Sequence, residues 1–255
     1  MRKLRYLLIL GLTILTGCSG NTRNLDGYEV RSVTVNGKSF EYRVFVPKNR
    51  DASKKLPVML YLHGSGTRGD DNQAQADAFN LAIQPVKDKI NFIVVLPQCR
   101  EDMAWISDEM SNYAIAALDD SVKEFNGDLE RIYLAGFSLG AHGVWKVAGS
   151  NPAKFAALMP VAGRVIPYEN GTPSDLPYAN VAKTIGATPV WIFHGAKDDA
   201  VPVDFARKIV KALEESGNNN ARYTEYTDEG HLIFAKAFAE PGFLEWLAAQ
   251  GSVSK

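Results

Sequence analysis

The sequence predicts an α/β protein: about eight strands in one mostly parallel sheet, with helices on both faces. Three observations carry this expectation. Short, continuously apolar runs alternate with helix-compatible segments from residue 56 onward, as buried parallel strands joined by crossover helices do. The 255 residues suit one α/β domain as well as two, and can bury a sizeable core without disulfides or metals. With 46% hydrophobic residues and Lys+Arg 28 against Asp+Glu 29, the chain is too apolar for disorder and has no basic field for nucleic acid.

The N-terminal segment stands apart from this pattern. Arg2, Lys3 and Arg5 precede an apolar stretch from Tyr6 to Leu15, the charged-then-apolar layout of a secretory signal. Polar residues from Ser19 onward end it short of the about 20 apolar residues that a membrane helix needs. Leu15-Thr16-Gly17-Cys18 resembles the bacterial lipoprotein lipobox, which implies cleavage before Cys18 and lipidation of that cysteine. The alternative is an ordinary signal peptide with Cys18 there by chance. The expected organisation is a signal at 1–17, a tether at 18–27 and one domain at 28–250. The molecule is then an exported bacterial lipoprotein facing the periplasm or cell exterior, touching membrane only through its N-terminus. Losing residues 1–17 removes three positive charges and no negative ones, so the net charge of -1 becomes -4.

The elements follow in order. YEVRSVTV and KSFEYRVFVP flank Asn36-Gly37, a dipeptide favoured in tight hairpins, and predict an opening antiparallel ribbon. Buried strands are expected at LPVMLYLH (56–63), NFIVVLP (91–97), RIYLAGF (131–137), FAALMPVAG (155–163) and TPVWIFHG (188–195), with ARYTEYT (221–227) completing the sheet. Helices are expected at about 74–89, 109–125, 139–150, 203–216 and 232–249. The stretch 166–185, with Pro167, Pro173 and Pro177, predicts a loop containing a short helix near the rim of the site.

The chemistry begins at Gly136-Phe137-Ser138-Leu139-Gly140, which follows a strand and opens a helix, the context of a nucleophile elbow. Glycines at 136 and 140 leave space for the sharp turn that projects the Ser138 hydroxyl. Serine is a poor nucleophile until a base takes its proton. Of the four histidines, His63 and His194 end strands and His142 lies in the first turn after Ser138. His231 occupies the loop before the last helix, where the order Ser, acid, His puts the base. Asp198, in the loop after TPVWIFHG, is the expected acid, holding the imidazole tautomer. Asp199 is the fallback, with helix capping as its competing role, and Asp175 is less favoured.

The oxyanion formed on the attacked carbonyl needs backbone N–H donors. Leu139 N–H is one. Ser65 N–H, in His63-Gly64-Ser65-Gly66, is the second, with Gly66 the alternative. Trp105 either stacks on substrate or plugs its loop against the core. Asp70 and Asp71 are expected to fold the oxyanion loop through salt bridges with Arg68. Two cysteines and four scattered histidines form no zinc or iron-sulfur spacing, so neither metal nor cofactor is expected.

With these letters in place, LYLHGSGTRGDDN, VVLPQCREDMAW, RIYLAGFSLGAHGVW, VWIFHGAKDDAVP and YTEYTDEGH, the chain resembles the α/β-hydrolase superfamily. Within it, the likeness is to bacterial esterases related to polyhydroxybutyrate depolymerases and feruloyl esterases, also described as prolyl-oligopeptidase-like predicted peptidases. The resemblance covers about 28–250 and implies the same triad, Ser138, Asp198 and His231, with Ser65 and Leu139 as oxyanion donors. Two positions depart from it. Ala141 stands where a further glycine is common, and Ala162 where some relatives have a cysteine, which leaves Cys99 as a lone buried thiol. The expected activity is that of a serine esterase without a large lid, cleaving small acyl or carbohydrate-linked acyl or feruloyl esters. The alternatives are a peptidase or amidase with the same triad, and a non-catalytic surface binding protein.

Overall fold

The sheet opens with a hairpin. β1 (Tyr28–Val35) and β2 (Lys38–Phe45) pair antiparallel across Asn36 and Gly37. Both turn residues have positive φ, 49° and 78°, as a tight hairpin turn matching the strand twist requires. The computed structural model describes residues 25, 27–48, 51, 53–166, 168–169, 172–173 and 176–251. The expected signal, Cys18 and most of the tether therefore lie outside the described residues, as does Asp175.

After the hairpin come β3 (Leu56–Leu62), α1 (Ala74–Ile83), β4 (Ile93–Pro97), α2 (Asp108–Glu124), β5 (Gly127–Phe137), α3 (Leu139–Ser150) and β6 (Ala157–Val161). A small ribbon follows, β7 (Tyr168–Glu169) with β8 (Thr172–Pro173), then α4 (Leu176–Ile185), β9 (Val190–Gly195), α5 (Asp204–Glu215), β10 (Ala221–Tyr226), α6 (Phe234–Phe238) and α7 (Phe243–Ala248). The main sheet has eight strands in the order β1-β2-β4-β3-β5-β6-β9-β10. β1 and β2 are antiparallel additions at one edge, and every pair from β4 to β10 is parallel.

Side-chain alternation divides the core into two layers. Val58, Leu60 and Leu62 of β3 join the cluster that includes Tyr113, Trp145, Tyr178 and Ile209 of α2, α3, α4 and α5. Met59 and Tyr61 point the other way, among Phe79, Phe234 and Trp246 of α1, α6 and α7. All seven residues of β3 are buried, which is why the run reads as uninterrupted apolar text.

Two helices expected as single units are divided. The 74–89 segment is α1 followed by a 3-10 stretch at Gln84–Lys89, because Pro85 has no N–H to continue the ladder. The 232–249 segment breaks between α6 and α7 at Pro241 and Gly242, the latter with a left-handed φ of 79°.

Candidate active site

Ser138 sits in the turn between β5 and α3 with φ 53° and ψ -113°, a strained conformation for a residue with a Cβ. The surroundings over-determine it. Its N–H donates to Val161 O at 2.9 Å, and its carbonyl accepts from His142 N–H at 3.1 Å. A Cβ on Gly136 would fall 2.5 Å from the Gly140 backbone, and one on Gly140 would fall 1.7 Å from Leu62 O. Only glycines let the strand, the turn and α3 approach this closely.

The loops after β9 and β10 are fastened to each other. Lys197 N–H donates to Glu229 O at 2.9 Å and Ala196 N–H to Tyr226 O at 2.9 Å. A Cβ on Gly195 would meet Gly230 O at 2.1 Å, so this contact too is backbone against backbone. The result brings His231 to Asp198 and to Ser138, residues separated by up to 93 positions in the chain. His231 Nδ1–H donates to Asp198 Oδ2 at 2.7 Å, and the Ser138 hydroxyl donates to His231 Nε2 at 2.9 Å.

Asp198 has a fully buried carboxylate with its lone pairs in use. Oδ1 accepts from Ala200 N–H at 3.0 Å and Val201 N–H at 2.8 Å, while Oδ2 faces His231 and, at 3.2 Å, His194 Nε2. These donors fix the carboxylate's orientation toward His231. Asp199 is exposed and does not contact His231 among the described residues. His194 donates its Nε2–H to Val201 O at 2.8 Å, and burial pushes its basicity down, so it is neutral.

The segment after β3 forms a 3-10 turn at Ser65–Thr67. Thr67 N–H bonds Gly64 O and Arg68 N–H bonds Ser65 O, so the amides of Ser65 and Gly66 precede the turn's own bonds and have no acceptor among the described residues. Leu139 N–H, heading α3, is likewise outside the helix ladder. Ser65, Gly66, Ser138 and His231 all line one cavity of about 330 Å³.

Two side chains that sequence reasoning passed over hold this loop. His63 Nδ1–H donates to Gly64 O at 2.7 Å and its Nε2 accepts from Cys99 N–H at 2.9 Å. Burial pushes the His63 imidazole down to about 4, which keeps that acceptor free of a proton. Gln98 donates to Thr67 O at 3.1 Å and Asp71 Oδ1 at 2.8 Å, and accepts from Asn72 N–H at 2.7 Å. His63 ends a strand next to the glycine-rich loop, and Gln98 directly follows a strand's carboxyl end. Those positions are the signal that could have found them.

Of the expectations about side chains, Cys99 as a lone buried thiol and Trp105 as a plug hold, whereas salt bridges from Arg68 do not. Trp105 is 0% exposed and cannot stack on substrate. Its Nε1–H donates to His63 O at 3.0 Å and its ring meets the His63 ring edge-on, so it is the plug beneath the loop after β3. Arg68 reaches the carbonyls of Ser65 and Met103 rather than an acid among the described residues, and Asp71 instead accepts from Gln73 N–H, Ala74 N–H and Gln98. Backbone hydrogen bonds, not ion pairs, shape this loop. Cys99 is a free, buried thiol, raised to about 12 by burial.

Comparison with known proteins adds the following. The sequence model of the phospholipase/carboxylesterase family matches residues 91–240. A thermostable esterase of known structure superposes with a TM-score of 0.76 at 28% identity, over 89% of this chain and 63% of that one. A bifunctional acetylxylan esterase/xylanase of Neocallimastix patriciarum is 26% identical over 176 residues, 65% of this chain. An uncharacterized secreted protein of Arthroderma benhamiae is 28% identical over 214 residues, 72% of this chain. The chain spans 22% of the length of each of these two curated relatives.

Proposed function

The chain belongs to the phospholipase/carboxylesterase family of α/β hydrolases, and from that premise we propose that it is an ester hydrolase working through an acyl-enzyme on Ser138, with His231 as base and Asp198 as its orienting acid. The observation that carries this reading is the continuous chain of short hydrogen bonds, 2.9 Å from Ser138 to His231 and 2.7 Å from His231 to Asp198.

The steps follow from the atoms present. Nδ1–H is committed to Asp198, so Nε2 has the lone pair that takes the Ser138 proton as Oγ attacks the ester carbonyl. The carbonyl oxygen gains negative charge, which the N–H groups of Leu139 and Ser65 stabilise, each worth a few kcal/mol in such sites. His231 returns the proton to the departing alkoxide, leaving the acyl group on Ser138. Water, deprotonated by the same Nε2, then releases the carboxylic acid and regenerates the serine.

The substrates proposed are small carboxylic esters and acyl groups carried on carbohydrate. The similarity to an acetylxylan esterase/xylanase supports the second class. Cys18 is proposed as a lipid anchor after removal of 1–17, on the lipobox-like Leu15-Thr16-Gly17-Cys18 alone. Incorporation of radiolabelled palmitate in a bacterial host, lost in Cys18→Ser, tests the anchor. Hydrolysis of p-nitrophenyl acetate and butyrate by the wild type, lost in Ser138→Ala, tests the chemistry. Equal turnover by both proteins would refute it.

A further inference from the structure

The cavity beside Ser138 has a composition that selects a substrate class. Its floor is Tyr61 and Phe234, stacked with ring centroids 4.8 Å apart. Its side walls are unusually small. Ala78 and Ala82, four residues apart and so on one face of α1, stand across from Ala235 of α6, and these two helices pack against each other. No Asp, Glu, Lys or Arg is among its described lining residues, and His63 at its inner end is neutral. A liquid water occupies about 30 Å³, so about 330 Å³ holds on the order of ten water-sized groups. An acetyl group leaves most of that space unfilled.

The rim continues the same chemistry outward. Leu232, adjacent to His231, is 87% exposed, and Leu81, between Ala78 and Ala82 in sequence, is 75% exposed. These are the two most exposed large hydrophobic side chains among the described residues, and one follows the base directly while the other rides the helix that walls the cavity. Isolated exposed leucines need no explanation, but Leu232 is itself one of the lining residues and extends the cavity's apolar surface outward.

We propose that this cavity is the acyl subsite, built for uncharged apolar acyl groups larger than acetyl, aliphatic or aromatic, with Ala78, Ala82 and Ala235 setting its width and Leu232 receiving the far end of the acyl group. The inference rests on Ser138 being the nucleophile. The cavity ends on buried aromatic rings, which suits the arm that stays on the enzyme as the Ser138 ester. The alcohol must instead accept a proton at His231 Nε2 and depart, and an alcohol carried on a polymer needs the open side.

The test varies only the acyl group, using p-nitrophenyl acetate, butyrate, octanoate and hemisuccinate with the full chain. Each buried methylene raises kcat/KM about fourfold, so butyrate exceeds acetate by on the order of tenfold. The hemisuccinate, similar in length to butyrate but anionic, falls below it. Ala82→Trp, which fills the cavity from a partly exposed position, lowers the butyrate-to-acetate ratio at least about tenfold. Leu232→Ser, at a solvent-facing position that does not threaten folding, lowers the octanoate-to-butyrate ratio several-fold. Cooperative urea unfolding of each variant confirms that a fold is present. Acetate preferred by the wild type, or ratios unmoved in both folded variants, would overturn the inference while leaving the esterase reading intact. A wild type inert to every ester would instead be a failure of that reading.

Discussion

His194 Nε2 lies 3.2 Å from Asp198 Oδ2, and both side chains are wholly buried. Asp198 thus has two imidazole neighbours, His231 on the Ser138 side and His194 on the other. Because His194 also donates to Val201 O, it ties the turn after β9 to the carboxylate that this turn presents. His194→Ala leaves Val201 O without its donor and opens a cavity, so stability falls by about 1–3 kcal/mol, read from urea denaturation. A loosened Asp198 also lowers kcat more than it raises KM. An unchanged urea midpoint would show that the contact is incidental.

Asp198 and Asp199 are adjacent in sequence but opposite in environment, one with four polar neighbours and the other solvent-facing. Asp198→Asn should reduce kcat by about four orders of magnitude, since an amide in that place favours the wrong imidazole tautomer. Asp199→Asn should stay close to wild type. Steady-state kinetics on a p-nitrophenyl ester separate the two, and comparable losses in both variants would reassign the acid.

Gln98 makes three hydrogen bonds to the segment that follows β3, to Thr67, Asp71 and Asn72. Gln98→Ala frees that segment without touching Ser138, His231 or Asp198. The expected result is a roughly ten- to hundred-fold loss of kcat, at or below the about hundred- to thousand-fold that losing one oxyanion donor outright costs, while a small organophosphate still labels the serine. Unaltered kcat would mean that the bonds from His63, Trp105 and Arg68 hold the loop without Gln98.

Burial pushes both His63 and His142 down to about 4, by the cost of placing an imidazolium away from water. In the unfolded chain a histidine titrates near about 6.5. Between those two values the unfolded state binds protons that the folded state refuses. Stability is therefore fully present above about pH 6.5 and declines as pH falls toward 4. Urea midpoints at pH 7, 5.5 and 4.5 should fall in that order, and His63→Asn should flatten the slope. A midpoint that stays constant over this range would contradict the burial of both groups.

Much of this arrangement was legible because the relevant residues speak through pattern. β3, β4 and β9 are buried along their whole length, so their runs are apolar but for His194 near the end of β9, and α3 occupies the predicted 139–150 because Gly136 and Gly140 mark the turn that starts it. The spacing of the triad candidates followed from loops at strand ends. What the sequence hid depends on direction. An indole such as Trp105 has the same letter whether it faces solvent or the floor of a loop, and only the structure turns it inward onto His63. Ala78 and Ala82 give no sequence signal as cavity walls, since their contribution is the volume they leave empty. Arg68 and Asp71 looked like an ion pair from proximity in sequence, yet the backbone carbonyls and N–H groups of the loop reach them first.

The central claim is that the Ser138 hydroxyl, activated by His231, is the nucleophile. Reaction of the folded protein with a fluorophosphonate, followed by intact mass and peptide mapping, tests it most directly. One adduct per chain is predicted, on the peptide containing Ser138, absent in Ser138→Ala and strongly slowed in His231→Ala. An adduct on another residue, or a wild type that takes up none while remaining folded, would contradict it.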